Sequence, residues 1–539
     1  MLKFVKKNMF VLLIILFVCM NSFASNDRDT LIIGVSHTPP TIDQDICLDP
    51  ISFYILCCIQ EQGVDYPQPI SEEPGAKGIR TLNFSGEWEI IPRLFESWEQ
   101  SADGKTTTFH IRKGSKSAYG NEFTSKDFLW RYERGKEIQG FGATYMRVQG
   151  TNYELLKANV VDKYTVKIVS EEPNGLQVLM AGNLTNGFWD STECMKHATP
   201  EDPWVREWMQ HNAAHFGPYY IKEWKAGDYV LLERNPNYWG VKPKIDKIMF
   251  KVIPESSSRL AMIKKGEIDI ALELTPREVE SLEGAPGVES IKVKKTGWIR
   301  FLTLNQKEFE PFKNKKVRQA LNYAIPREEI INTVFYDAAI AMYSPIKQEY
   351  PGALPAEYFP YKYNLEKAKQ LLEEAGYPNG FDIELWYEAD RPLDESMVIL
   401  IQNSFGKIGV DVELRKAPSA PFYSNVQSRL VSMALLGDIP FTPDANYAYN
   451  LNFHSEAFGN YSNYVSEEAD RLAAIGKTIV EMDKRIEHHY DLQKLLLEDA
   501  PVGFIVQAGF RCAIRTELKG FNTYIGDNIK AEYLYFDEK

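Results

Sequence analysis

The chain contains no block of five or more consecutive lysines and arginines, and its 61 basic and 74 acidic side chains leave a formal charge of −13. Non-specific nucleic-acid binding needs a basic footprint that displaces counterions from phosphates, so no nucleic-acid partner is expected. Cysteine is scarce, with six in 539 residues. Beyond the first two dozen residues only Cys47, Cys57, Cys58, Cys194 and Cys512 remain, an odd number at irregular spacing. That is no disulfide framework, although one bridge stays open in an oxidising compartment. Adjacent Cys57 and Cys58 would make a strained bridge and are expected as buried thiols. After residue 24 no uncharged stretch approaches the ~20 residues that cross a bilayer. No period of 20–50 residues recurs, which excludes solenoids and propellers.

Catalytic motifs are missing too. A phosphate loop needs a glycine five residues before its Gly-Lys-Ser/Thr. Gly104-Lys105-Thr106 and Gly476-Lys477-Thr478 have Glu99 and Arg471 there. Gly140-Phe141-Gly142 lacks the third glycine of a dinucleotide fingerprint, and neither G-x-S-x-G nor H-E-x-x-H occurs. His488-His489 is expected on a solvated helix face, since adjacent residues do not face one ligand together. Cys194 and His197 are too few for zinc. No catalytic residue, metal or cofactor is assigned.

What the chain does have is globular composition, with 44% hydrophobic and 13% aromatic residues. Its length is ample for more than one domain. Lys3, Lys6 and Lys7 precede an apolar run from Met9 to Met20, and Ser22-Phe23-Ala24 offers a small-residue cleavage site. Residues 1–24 therefore read as a signal peptide, which places the mature chain outside the cytoplasm, in the periplasm or its equivalent. The alternative is a lipid anchor at Cys19, in Leu16-Phe17-Val18-Cys19, although Val18 is large for that box.

Strand-like and helix-like stretches alternate irregularly, which gives a mixed α/β class. Thr30–Val35 is β-rich, and in Thr106–Arg112 Phe109 and Ile111 share one face. Tyr229–Glu233 and Ile245–Ile253 are further strands. Residues 65–80, rich in proline, glycine and acids, read as a surface loop. In Lys315–Ile325, Val317, Leu321, Ala324 and Ile325 form one apolar stripe. Asn364 is placed to cap a helix over Leu365–Ala375, and Gly376 stands where a left-handed terminating residue belongs. A longer helical zone runs from Glu467 to Asp499, with a break expected near Gly476 and a stop at Pro501.

In chain order there follow Pro92–Glu99 with Ser101-Ala102-Asp103-Gly104-Lys105-Thr106 and Phe109–Gly114; Gly217-Pro218-Tyr219-Tyr220; Glu233–Gly240; Lys265–Ala271; Leu304-Asn305; Pro311-Phe312; Val317–Ile325; Ala368–Pro378; Asp499-Ala500-Pro501; and Lys519-Gly520-Phe521. Together these segments resemble one family, the extracytoplasmic solute-binding proteins of peptide and nickel ABC importers. The resemblance implies a two-lobed α/β fold of the type II periplasmic-binding-protein kind, with an extra subdomain on the N-terminal lobe. Carried onto this chain, residues 25–64, 200–297 and 506–539 form the first lobe, 65–199 the subdomain and 298–505 the second lobe. Ile299–Leu304 and Val502–Val506 are short apolar runs where the chain would pass between lobes.

The resemblance also implies a cargo. A free peptide carries an ammonium and a carboxylate, and a closed crevice must replace their hydration with opposite, hydrogen-bonded charges. Peptide binders of the family hold the ammonium with an Asp after a buried strand; Asp438, following Ser432–Leu436, matches. Dipeptide binders carry an Arg just before a Pro for the carboxylate; Arg391, before Pro392, matches. The loop after Asp438 reads Ile439-Pro440-Phe441-Thr442-Pro443-Asp444, without the usual Asp-Pro pair. The expected protein is a non-enzymatic, monomeric receptor that delivers short peptides to ABC permease subunits. The same fold holding an oligosaccharide or a metal chelate is the alternative, and a secreted hydrolase or chaperone a remoter one.

Overall fold

The computed structural model describes residues 29–537 apart from 48, 67–69, 72–78, 84–88, 295–296, 390, 458, 523 and 525–526. Residues 1–24, read from the sequence as a signal peptide, and with them Cys19, lie outside the described residues.

Three sheets organise the chain. A nine-stranded sheet runs in the order Tyr219–Lys225, Tyr229–Arg234, Lys247–Val252, Thr30–Val35, Ile270–Ala271, Phe510–Arg515, Val288–Lys294, Ile79–Asn83 and Ile70–Ser71. A six-stranded sheet runs Ala339–Ala341, Val502–Ala508, Ile299–Leu304, Met433–Asp438, Phe381–Glu388 and Val410–Ala417. A four-stranded sheet of Phe95–Gln100, Thr106–Ile111, Thr165–Val169 and Val160–Asp162 forms the small subdomain. Each sheet has its own apolar core.

Local chemistry explains the clearest elements. In Thr106–Ile111, Thr107, Phe109 and Ile111 are buried, the alternation of a half-covered strand. Helix Lys315–Ala324 buries Val317, Ala320, Leu321 and Ala324, and the Asn314 side chain accepts from Lys316 N–H. Asn364 caps Leu365–Glu374 by accepting from Lys367 N–H, and Gly376 closes the helix at φ +90°.

Other details differ from the pattern. Gly476 lies inside helix Glu467–Thr478, and the next helix, Met482–Asp499, starts only after residues 479–481. A Cβ at Gly476 would meet His489 Nε2 at 2.8 Å, so this glycine serves helix packing and not a break. His489 is consequently buried and not on a solvated face. Burial lowers its imidazole to about 4. The described cysteines are all free thiols, with Cys58 buried and Cys57 half-buried, so the bridge left open by the sequence does not form. Much of loop 65–80 lies outside the described residues, but its flanks Ile70–Ser71 and Ile79–Asn83 pair as strands on the edge of the nine-stranded sheet.

The chain passes from the nine-stranded to the six-stranded sheet between Lys294 and Ile299 and returns at Gly509. Val502–Ala508 stays in the six-stranded sheet beyond Val506, because Gln507 is satisfied there: its amide donates to Glu349 at 2.6 Å and its carbonyl accepts from Gln348 N–H at 2.9 Å. The two crossing segments pair with each other, Gly297 N–H donating to Ala508 C=O at 2.8 Å and Ala508 N–H to Trp298 C=O at 2.9 Å. A Cβ on Gly509 would sit 2.3 Å from the carbonyls of Ala338 and Val293, and one on Gly297 would sit 2.5 Å from that of Ala508. Only glycine permits so close an approach, and few residues connect the sheets, the geometry of a hinge.

A buried ionic cluster joins the first lobe to the subdomain. From helix Ser125–Glu137, Arg131 meets Asp45 at 2.7 Å, while Arg134 meets Asp45 at 2.9 Å and Asp43 at 2.5 Å. All four side chains are fully buried, and both guanidinium groups lie about 5 Å from the Trp189 ring.

A second cluster collects Glu61, Arg93, Asp65, Lys530, Tyr238 and Glu532. Arg93 meets Glu61 at 2.8 Å, but only approaches Glu532 at 3.8 Å, and Glu532 Oε2 has no hydrogen-bond partner. Burial, only partly offset by Lys530 and Arg93, pushes the Glu532 carboxyl from 4.5 up to about 7. Below pH 4.5 the acid is protonated folded or unfolded. Between there and pH 7 the unfolded chain ionises first, so this group's contribution to stability falls as pH rises. Glu532→Gln is therefore expected to be more stable than the parent by about 2 kcal/mol at pH 8, the two converging near pH 4. Urea midpoints at the two pH values check this, and a constant difference would contradict it.

Candidate functional site

Strands Phe381–Glu388, Val410–Ala417 and Met433–Asp438 are parallel neighbours, so their carboxyl ends share one edge of the six-stranded sheet. That edge faces the first lobe, and ligands of open α/β sheets bind at such an edge. The structure brings both residues named from the sequence to it. Arg391 follows Phe381–Glu388, and Asp438 ends Met433–Asp438.

A cavity of about 440 Å³ lies between the lobes, within the usual range for a small-molecule site. From the second lobe it is lined by Arg300, Phe335, Glu388, Arg391 and Asp394, and from the first by His37, Asp49, Glu273, Phe510, Arg511 and Asp527, with Gly297, Trp298, Ala508 and Gly509 of the hinge between them. Cargo held here would touch both lobes and the crossing strands at once.

Arg391 is held ready in this wall. Its Nε donates to Glu388 at 2.6 Å, one Nη donates to Tyr423 Oη at 3.2 Å, and its guanidinium lies 4.9 Å from the Trp298 ring. Glu388 is itself fixed by the Ser419 hydroxyl at 2.5 Å. The other Nη has no protein acceptor among the described residues. Burial alone would lower the guanidinium pKa, but Tyr423, Glu388 and Asp394 outweigh it and the net direction is upward. Behind Arg391, Arg300 bonds Asp394 at 2.5 Å, leaving Arg300 Nε and Asp394 Oδ2 unpaired and buried beside the cavity.

Asp438 is placed differently. It does not line that cavity, and its carboxylate is occupied: Oδ2 accepts from Asn452 Nδ2 at 2.6 Å and Oδ1 from Ile439 N–H at 2.8 Å. Burial raises its pKa, against the lowering effects of those two bonds and of Lys347. Its strand partner is Ile299, one residue from the Trp298 beneath Arg391. The two residues thus flank the start of one crossing strand and do not face each other across a single wall.

The loop after Asp438 enters the opposite lobe. Ile439 and Phe441 are buried in the core of the first lobe, where Phe441 packs edge-on against Phe53 at 4.9 Å. Thr442 Oγ1 accepts from Asn183 Nδ2 at 2.8 Å. Asp444 then caps helix Ala445–Asn452 and pairs with Arg485 at 3.0 Å. Loop 439–444 thus bridges the two lobes beside the cavity. Sequence reasoning missed Trp298, Glu388, Tyr423 and Arg511; Glu388, three residues before Arg391, was the one with a readable signal.

The family model for bacterial extracellular solute-binding proteins, family 5 Middle, matches residues 89–460. The chain belongs to this family. Among its relatives, the dipeptide-binding protein of Escherichia coli (strain K12) is 28% identical over 465 residues, 81% of this chain and 84% of that one. The oligopeptide-binding protein AppA of Bacillus subtilis (strain 168) is 26% identical over 459 residues, 79% of this chain and 80% of its own. In fold, this family 5 protein matches the periplasmic binding protein DppA of Helicobacter pylori, solved with the peptide STSA, with a TM-score of 0.80 at 24% identity, over 94% of this chain and 98% of the other. The three-sheet architecture is that of a type II periplasmic binding protein. Among the described residues of this solute-binding protein, no helix is long and apolar enough to cross a membrane.

Proposed function

We propose that this family 5 protein is the receptor of an ABC importer for short peptides, capturing them between its lobes by closure at the Gly297 and Gly509 hinge. The observation that carries the reading is the interlobe cavity of about 440 Å³ with Arg391 in its wall, buttressed by Glu388 and Trp298 and left with free donors for a peptide carboxylate. Asp438, buried at the adjacent strand end with Asn452 as its hydrogen-bond donor, is the acceptor for the peptide ammonium once that amide gives way. The receptor is a monomer, exported by its signal peptide, and performs no bond chemistry. It hands cargo to the permease subunits, and the partner ATPase supplies the work. The peptide-binding relatives support this cargo.

Calorimetry with di-, tri- and tetrapeptides tests it. Binding is expected for free peptides and should collapse when the N-terminus is acetylated. Affinity that survives acetylation would remove Asp438 from its role. A bound peptide should also raise the melting temperature, by an amount equivalent to about 2.7 kcal/mol at a hundredfold excess over the dissociation constant.

A further inference from the structure

The cavity holds a second arginine that the carboxylate clamp does not use. Arg511 stands on strand Phe510–Arg515 of the first lobe, opposite the lobe that carries Arg391. Its guanidinium makes one hydrogen bond, Nε donating to Leu274 C=O at 3.1 Å. Both terminal nitrogens lack a protein acceptor among the described residues, and no carboxylate lies within ion-pair distance. Phe335 of the second lobe lies beside it, with the guanidinium 6.0 Å from the ring centre. Burial lowers its pKa to about 10, against the upward pull of Asp527 and Tyr54.

The neighbouring charges are partly engaged, with Arg300 Nε and Asp394 Oδ2 left over. Arg300 is paired with Asp394, Arg391 with Glu388, and Asp49 both caps a helix and meets His37 at 2.8 Å. Glu273 spends one oxygen on Ser36 N–H at 2.9 Å. Asp527 acts on Arg511 through space only. Arg511 is half-buried and brings more donors to the cavity than any protein acceptor among the described residues takes up, leaving its terminal nitrogens available to an anion that enters.

We propose that Arg511 reads a second carboxylate on the cargo, so that this receptor favours short peptides with an aspartate or glutamate side chain. This rests on the peptide reading above. The backbone carboxylate goes to Arg391 on one lobe and the side-chain carboxylate to Arg511 on the other. An acidic peptide then ties the two lobes through opposite ends of one small molecule.

The test is calorimetry with matched pairs, Ala-Glu against Ala-Gln and Glu-Ala against Gln-Ala. The parent protein is expected to bind the better acidic member about tenfold more tightly than its amide counterpart. In Arg511→Gln the ratio of affinities within each pair should fall to about twofold or less, whatever the change in overall affinity. Arg511→Lys, which keeps the charge, should retain part of it. Equal affinities within both pairs in the parent would overturn the proposal, as would an Arg511→Gln protein that is folded by melting temperature and keeps the acid preference. If no peptide binds, the peptide reading itself fails. Arg511 is then judged with glutarate: thermal stabilisation of the parent that disappears in Arg511→Gln supports the site, and no stabilisation of the parent overturns it.

Discussion

Arg391→Ala is expected to weaken peptide binding at least about thirtyfold. The proposed clamp is a guanidinium already fixed by Glu388, Tyr423 and Trp298, so little ordering would remain when a carboxylate docks. Truncating one partner of a buried, hydrogen-bonded charge pair costs about 2–5 kcal/mol, because the other charge is left in a dry site. Arg391→Lys should recover only part, since an ammonium cannot make the planar two-bond contact. The truncation also strands Glu388, so Glu388→Gln is the control: it should keep most of the affinity, with the guanidinium less firmly aimed. Calorimetry reads binding and melting temperature reads integrity. An Arg391→Ala protein that is folded and binds peptides as the parent does would end the clamp assignment.

The second large effect is on stability. Arg134→Ala is expected to lose about 3–5 kcal/mol, because it leaves Asp43 and Asp45 buried with Arg131 alone to answer two carboxylates. Arg134→Met should cost less, since a side chain of similar length keeps packing against Trp189. Because the cluster joins the first lobe to the subdomain, the loss should appear as an early, separate step in urea unfolding followed by fluorescence, and not as a uniform shift. A midpoint equal to the parent's would show that the cluster contributes nothing net.

Legibility in the sequence followed the range of the forces involved. Helix Leu365–Glu374 could be read because its cap, its apolar stripe and its terminating Gly376 are all local. Strand Thr106–Ile111 was legible from alternation for the same reason. The break expected near Gly476 falls at residues 479–481; Gly476 itself answers to the ring of His489 across a helix pair, and nothing within a few residues reports that contact. The end of Val502–Ala508 was misplaced likewise, because Gln507 is polar in sequence but satisfied by Glu349 and Gln348 in space. Arg391 and Asp438 could be named from family resemblance. Arg511 could not, because it lies 120 positions from Arg391 and becomes relevant only when the lobes meet.

The seating of Ile439 and Phe441 in the opposite lobe bears on cargo turnover. Covering a phenylalanine is worth about 1.5–3 kcal/mol, so seating Ile439 and Phe441 in the first lobe favours the form in which the lobes touch. Arrival is slowed in proportion to how rarely they part, and departure waits on the same rare event. A scavenger built this way loses little of its catch to dilution, and unloading falls to whatever membrane machinery can prise Phe441 from its socket.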